Sequence, residues 1–147
     1  MKNTHPDVLD RFYHLWFAIN DVYAVWAKQH NITVNALFAL HIIKSTKDCT
    51  QQDVCKMLML PKQTVNSLLK TLESAGYIEK QRTISDKRSK MITLTSDGNN
   101  YAEEILTKFH NDEYNALKIM TDKQISGLLD GMDIFIDSFK KQSNMRE

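Results

Sequence analysis

Glycine and proline are scarce in this chain, four and two in 147 residues. That is about 4% against the ~12% usual in globular proteins. The shortage disfavours a β-sandwich, which needs many tight turns, and favours long helices. No stretch approaches the ~18 uncharged apolar residues of a membrane span. The opening segment, residues 1–11, lacks the apolar core of a secretion signal. A cytoplasmic protein with no membrane partner is the expectation. The two cysteines, Cys49 and Cys55, form neither a CxxC pair nor a disulfide framework. The sequon Asn31-Ile32-Thr33 carries no meaning without secretion.

Catalytic signatures are missing too. There is no GxSxG, GxGxxG, P-loop or HExxH pattern. Adjacent Glu103 and Glu104 diverge on a helix and cannot act as a paired acid and base. The five histidines (5, 14, 30, 41 and 110) are scattered, whereas zinc needs three or four convergent ligands. The sequence therefore predicts no enzyme, no metal and no cofactor.

What is present is an uneven charge distribution. The net charge is only +1, yet residues 44–90 hold ten Lys/Arg against five Asp/Glu, and the flanks are net acidic. A basic middle between acidic flanks is the asymmetry expected of a nucleic-acid surface.

Periodicity supplies the architecture. Val8, Phe12, Leu15, Trp16, Ile19, Val22, Tyr23 and Trp26 recur at steps of three and four, predicting an amphipathic helix. Thr33 caps a second helix, with Leu37, Phe38, Leu40, Ile42 and Ile43 apolar, ending near Ser45. Thr50 with Asp53 reads as an N-cap pair, and Cys49 with Val54 as its hydrophobic staple. Pro61 fits the first position of a fourth helix, which Gly76 stops. Residues 77–82 and 90–94 alternate like short strands, and the polar, basic stretch between them reads as a hairpin tip. Thr95 caps a fifth helix. Thr121 with Gln124 opens a sixth, whose Ile125, Leu128, Leu129, Met132, Phe135, Ile136 and Phe139 form the clearest stripe in the chain. The expected class is mainly α with a small β-hairpin wing.

Two helices joined by a short turn and followed by a hairpin make a winged helix-turn-helix. In the fourth helix Val65, Leu68, Leu69 and Leu72 share a face that must be buried. The opposite face offers Gln63, Asn66, Ser67 and Lys70, with Lys62 and Thr64 beside it. Amides and hydroxyls suit base edges, and lysines suit phosphates. Arg82, Lys87, Arg88 and Lys90 cluster around the hairpin turn, where a guanidinium suits a minor groove. Asp86 is placed to orient Arg88 through a charge-assisted hydrogen bond.

The run Asp86-x-Arg88-x-x-x-Ile92-x-Leu94-Thr95-x-x-Gly98 resembles the wing signature of MarR-type transcriptional regulators. The segment Lys62 to Ile78 is similar to that family's recognition helix and the turn into its wing. The element order matches as well, so the resemblance covers essentially the whole chain. It implies a single domain over residues 1–147, with a winged DNA-binding lobe at 33–95 and helical dimerisation regions at 1–32 and 96–147. It also implies a homodimer reading double-stranded DNA through residues 62–70 and Arg88. The apolar stripes of the first and last helices independently call for association. A dimer in turn predicts a pseudo-palindromic operator.

Members of that family respond to a small phenolic or lipophilic ligand, an oxidant or a metal. Tyr13, Trp16, Phe17, Phe38, His41 and Phe109 are the candidates for a ligand pocket, or else are core aromatics. Oxidant-sensing relatives carry a cysteine early in the first helix, where this chain has none, and Cys55 is expected in the core. Zinc-sensing relatives pair a second-helix histidine with HxxxH in the fifth helix, where this chain has His110-x-x-x-Tyr114. The leading expectation is a repressor released by a small ligand. The alternatives are a winged-helix module that binds protein, or a redox-responsive regulator of the same fold.

Overall fold

Capping residues punctuate long runs of helix formers, and the elements follow from them. The computed structural model describes residues 5–82 and 90–143. Its elements are α1 (His5–Gln29), α2 (Val34–Ser45), α3 (Gln51–Leu58), α4 (Lys62–Ser74), β1 (Ile78–Arg82), β2 (Lys90–Leu94), α5 (Ser96–Leu117) and α6 (Asp122–Gln142). This is the mainly helical, winged arrangement the sequence predicts. The chain divides into two compact units, Met1–Leu106 and Thr107–Glu147.

In the first unit α2 is the central element. Ala36, Leu37, Ala39, Leu40, Ile42 and Ile43 are all buried, a wider apolar arc than a surface helix carries. It packs on α1, α3, α4 and β2. Val54, Val65, Leu69, Leu72, Ile78, Ile92, Ala102, Ile105 and Leu106 complete this core. Truncating a fully buried leucine such as Leu37 or Leu40 would cost about 2–5 kcal/mol. Lys44, in the last turn of α2, pairs with Glu103 of α5 and donates to Asn99 Oδ1 at 3.3 Å.

Local chemistry sets the boundaries. Thr33 Oγ1 accepts from the Ala36 amide. Thr50 and Asp53 form a reciprocal capping box, and the buried Cys49 and Val54 flank it. Pro61 departs from expectation. It is the N-cap of α4, with ψ at 144°, and Lys62 takes the first helical position. An extended ψ lets the chain enter the helix from the turn, while the proline φ of −58° needs no adjustment. At the other end Gly76 has φ +76°. Its amide donates to Glu73 O at 3.0 Å and the Tyr77 amide to Leu72 O at 2.9 Å, the paired bonds of a Schellman stop.

The strands are antiparallel, with Ile78 opposite Leu94, Lys80 opposite Ile92 and Arg82 opposite Lys90. The Ile92 amide also donates to Cys49 O at 2.7 Å, and Thr50 bridges Met91. The segment entering α3 thereby ties the wing to the helix-turn-helix.

In the second unit Thr121 and Gln124 form the expected capping box at the start of α6. No residue of α6 is buried within the single chain. Leu128, Leu129, Phe135, Ile136 and Phe139 are all exposed, and the Phe135 and Phe139 rings stack at 6.0 Å. In the first unit, α1 likewise exposes Tyr13, Leu15, Trp16, Phe17, Ile19 and Val22.

Candidate nucleic-acid interface

The helix-turn-helix is built from α3 and α4, joined by Met59, Leu60 and Pro61. Met59 caps α3 in the left-handed region, with φ 54°. That conformation turns the chain sharply, and the Met59 side chain points into solvent at 86% exposure. The Gln51 side chain donates to Lys62 O at 3.2 Å, fixing the first turn of α4 against the first turn of α3.

The two faces of α4 separate cleanly. Val65, Leu69 and Leu72 are buried and Leu68 is half-buried. Lys62, Gln63, Thr64, Ser67 and Lys70 are exposed, and Asn66 is half-buried. Lys62, Asn66 and Glu73 fall in one row along the helix, because steps of four and seven return to the same side.

That row borders a cavity of about 590 Å³ between the helix-turn-helix and the wing. Thr50, Gln51, Gln52 and Cys55 line it from α3 and its cap, Lys62 and Asn66 from α4, and Lys80, Lys90 and Ile92 from the strands. Of the sequence-predicted residues it brings together Lys62, Asn66 and Lys90, while Gln63, Thr64, Ser67 and Lys70 stand along the exposed side of α4. The backbone of Arg82 pairs with Lys90. Asp86, Lys87 and Arg88 lie outside the described residues.

Lys80, Gln51 and Gln52 were not singled out by sequence reasoning. The alternation of β1 carries the signal for Lys80, since Ile78 and Lys80 share one face of a strand whose Ile78 is buried. Lys80 Nζ sits 2.8 Å from Glu73 Oε2, with its side chain only 15% exposed.

Cys55 corrects an expectation. It is half-buried and lines the cavity instead of joining the core. The short α3 buries only Val54, so the residue after it turns toward the groove. Cys49 is buried, and burial together with the nearby Asp53 charge pushes its thiol up to about 11. Hydrogen bonds from the Thr50 hydroxyl and amide hold the Asp53 carboxyl below its ordinary range.

The candidate pocket aromatics are mostly on the surface. Tyr13, Trp16, Phe17 and His41 are exposed, and half-buried Phe38 meets Tyr23 edge-on at 5.8 Å. Phe109 is buried and belongs to the second unit. A second cavity of about 640 Å³ lies within that unit, lined among others by Tyr114, Leu117, Met120 and Ile125. None of the six candidates lines either cavity. Among the described residues, no three His, Cys, Asp or Glu side chains converge as metal ligands. No helix among them is long and apolar enough to cross a membrane.

Comparison with known proteins agrees with this geometry. A family profile described as the MarR family matches residues 30–89. The HTH-type transcriptional regulator SarZ of Staphylococcus haemolyticus is 30% identical over 53% of this chain and 53% of its own length. The chain spans about half the length of the curated relatives it matches first. A solved MarR family regulator from Neisseria meningitidis superposes with TM-score 0.79 at 25% identity, over 95% of this chain and 98% of that one. The MepR–DNA complex of Staphylococcus aureus, at 22% identity, shares the fold with TM-score 0.77 over 86% and 97% of the two chains. The profile match and the shared fold agree with the wing and α4 described above: residues 30–89 are similar to the MarR family, and nearly the whole chain shares the winged helix-turn-helix fold of a solved MarR family regulator.

Proposed function

We propose that this protein is a cytoplasmic, sequence-specific DNA-binding transcriptional repressor that works as a homodimer and is released by a small lipophilic or phenolic ligand. One observation carries the DNA reading: α4 presents Gln63, Thr64, Ser67 and Lys70 outward while its apolar side is buried, beside a cavity lined by three lysines. The N-terminal part of such a helix enters the major groove, where amides and hydroxyls meet base edges. Lys70 and Lys90 reach phosphates, and Arg88 reads the adjacent minor groove with Asp86 orienting it. Support also comes from the relatives named as transcriptional regulators and from MepR, solved with DNA. A protein-binding module would instead present an apolar or acidic α4.

The homodimer reading draws on the exposed apolar residues of α1 and of α6. Two-fold symmetry then implies a pseudo-palindromic operator with half-sites about one helical turn, ~34 Å, apart. The domain reading has residues 33–95 as the DNA-binding lobe, with 1–32 and 96–147 in dimerisation. The ligand reading draws on the family and on Tyr13, Trp16, Phe17, Phe38, His41 and Phe109 as pocket candidates.

The test is fluorescence anisotropy with DNA from upstream of the protein's own coding region, at two salt concentrations. Sequence-dependent binding that weakens steeply with salt is the expected result. Weak binding, equal on scrambled DNA, followed by failure to select any site from a random pool, would overturn the reading.

A further inference from the structure

Among the described residues, Lys80 is the one lysine of the cavity paired with a carboxylate. Its ammonium meets Glu73 Oε2 at 2.8 Å, and its side chain is 15% exposed against 44% for Glu73. Lys62 and Lys90, on the same cavity, are exposed. The partners belong to different elements, Glu73 to the last turns of α4 and Lys80 to the middle of β1. Between them the chain reverses through Ala75, Gly76 and Tyr77. Among the described residues the wing is also tied through Ile92 to Cys49, Met91 to Thr50, and Thr95 to Gly76 and Tyr77, but these are bonds to backbone. The ion pair is thus a side-chain strut between the helix proposed to read bases and the strand that carries the wing.

We propose that Lys80 and Glu73 are positioning residues for DNA binding: the pair fixes the angle of the wing to α4, and Lys80 is not itself a phosphate contact. The inference rests on the DNA reading above. It follows from two facts about ion pairs. A lysine already neutralised by a carboxylate has little net charge to offer a phosphate and few counterions to release. A charge-assisted bond from a lysine whose side chain is mostly covered has a more defined geometry than a pair between two fully exposed side chains.

The sign of one substitution separates the two roles. Glu73→Gln removes a negative charge beside the proposed interface. If Lys80 were a phosphate contact, freeing it would tighten DNA binding. If the pair positions the wing, the same change weakens binding. The experiment compares the unmodified chain with Glu73→Gln, Lys80→Gln and Lys80→Arg, on the tightest duplex recovered from a random pool with the unmodified chain. Affinity is read at several salt concentrations. Hydrogen exchange of the β1 and β2 amides is read without DNA. Circular dichroism confirms that each variant is folded.

Glu73→Gln and Lys80→Gln are each expected to weaken binding roughly threefold to tenfold, with the salt slope unchanged, since no phosphate contact is removed. Both should speed exchange in the strands, and Lys80→Arg should restore both readouts. Tighter binding by Glu73→Gln, or a salt slope reduced by about one in Lys80→Gln, would overturn the proposal. So would unchanged binding, or weaker binding with unchanged exchange. If the unmodified chain binds no DNA, the DNA reading fails and the positioning role for DNA fails with it. The exchange measurement then still shows whether the strut holds the wing, so the two failures are told apart.

Discussion

The Thr95 hydroxyl donates to the carbonyl of Gly76 at 2.6 Å and accepts from the Gly98 amide at 2.9 Å. One side chain thereby caps α5 and ties that cap to the stop of α4. The Thr95 amide adds a bond to Tyr77 O at 3.1 Å. A β-carbon on Gly98 would sit 1.8 Å from that same carbonyl oxygen, so the helix start and the turn touch backbone to backbone. Two residues of the resemblance motif, Thr95 and Gly98, are accounted for by this junction alone.

Thr95→Val should therefore lower stability by about 1–2 kcal/mol, the scale of a lost N-cap. Gly98→Ala should cost more, about 3 kcal/mol or above, because the clash is with backbone that cannot rotate away. Urea unfolding of the two variants checks both the magnitudes and their order.

Met59 offers the opposite change. Its φ of 54° is a conformation that costs a β-carbon-bearing residue about 1 kcal/mol, and its 86% exposed side chain supplies almost no packing. Met59→Gly should raise stability by roughly 0.5 kcal/mol, the strain relief being partly offset by the greater freedom of glycine in the unfolded chain. Chemical denaturation at matched slope decides it, and a fall in stability would show that the side chain packs after all.

The cysteines should behave differently. Cys49 keeps its proton to about 11, against an ordinary 9.0, and is 1% exposed. A thiol reagent near neutral pH should label Cys55 in the native protein and Cys49 only on unfolding. The raised thiol also makes stability depend on pH. Between about 9 and 11 the unfolded state binds fewer protons than the native state. The contribution is thus full below about 9 and is lost as pH rises toward 11, on the order of 2–3 kcal/mol. Cys49→Ala should lack that alkaline component in pH-dependent unfolding.

On the proposed interface, Lys70→Ala should weaken binding to all sequences alike and lower the salt slope by about 0.9 for a lost phosphate contact. Gln63→Ala should instead relax discrimination between sites while leaving the slope alone, if its amide meets a base edge. Titrations on matched and scrambled duplexes at several salt concentrations separate the two signatures.

The apolar stripe of α6 supplies the last expectation. Leu129 and Phe135 are 59% and 40% exposed in the single chain, more apolar surface than a solitary helix keeps in water. Leu129→Glu and Phe135→Glu should shift the protein to monomer in sedimentation equilibrium and reduce operator affinity together. A parent chain that sediments as a monomer would refute the homodimer reading.

By itself the sequence determined the order of elements, the caps and the buried faces. Thr33, Thr50, Thr121 and Gly76 act within a few residues of themselves, so their signals are local and legible. Val65, Leu69 and Leu72 declare the inner side of α4 by period alone. Tertiary structure decided what depends on approach between distant segments. Periodicity places Lys80 on the face of Ile78, but only the pairing of β1 with β2 and its packing on α4 bring it to Glu73 and to a cavity shared with Gln51 and Lys90. Cys55 reads as core from its apolar neighbours, yet α3 is too short to cover it. Pro61 moved by one residue because the turn from α3 sets the ψ with which the chain enters α4. A one-dimensional pattern encodes which face is apolar. Where that face lands, and which charges meet across it, is fixed only when the helices close on α2.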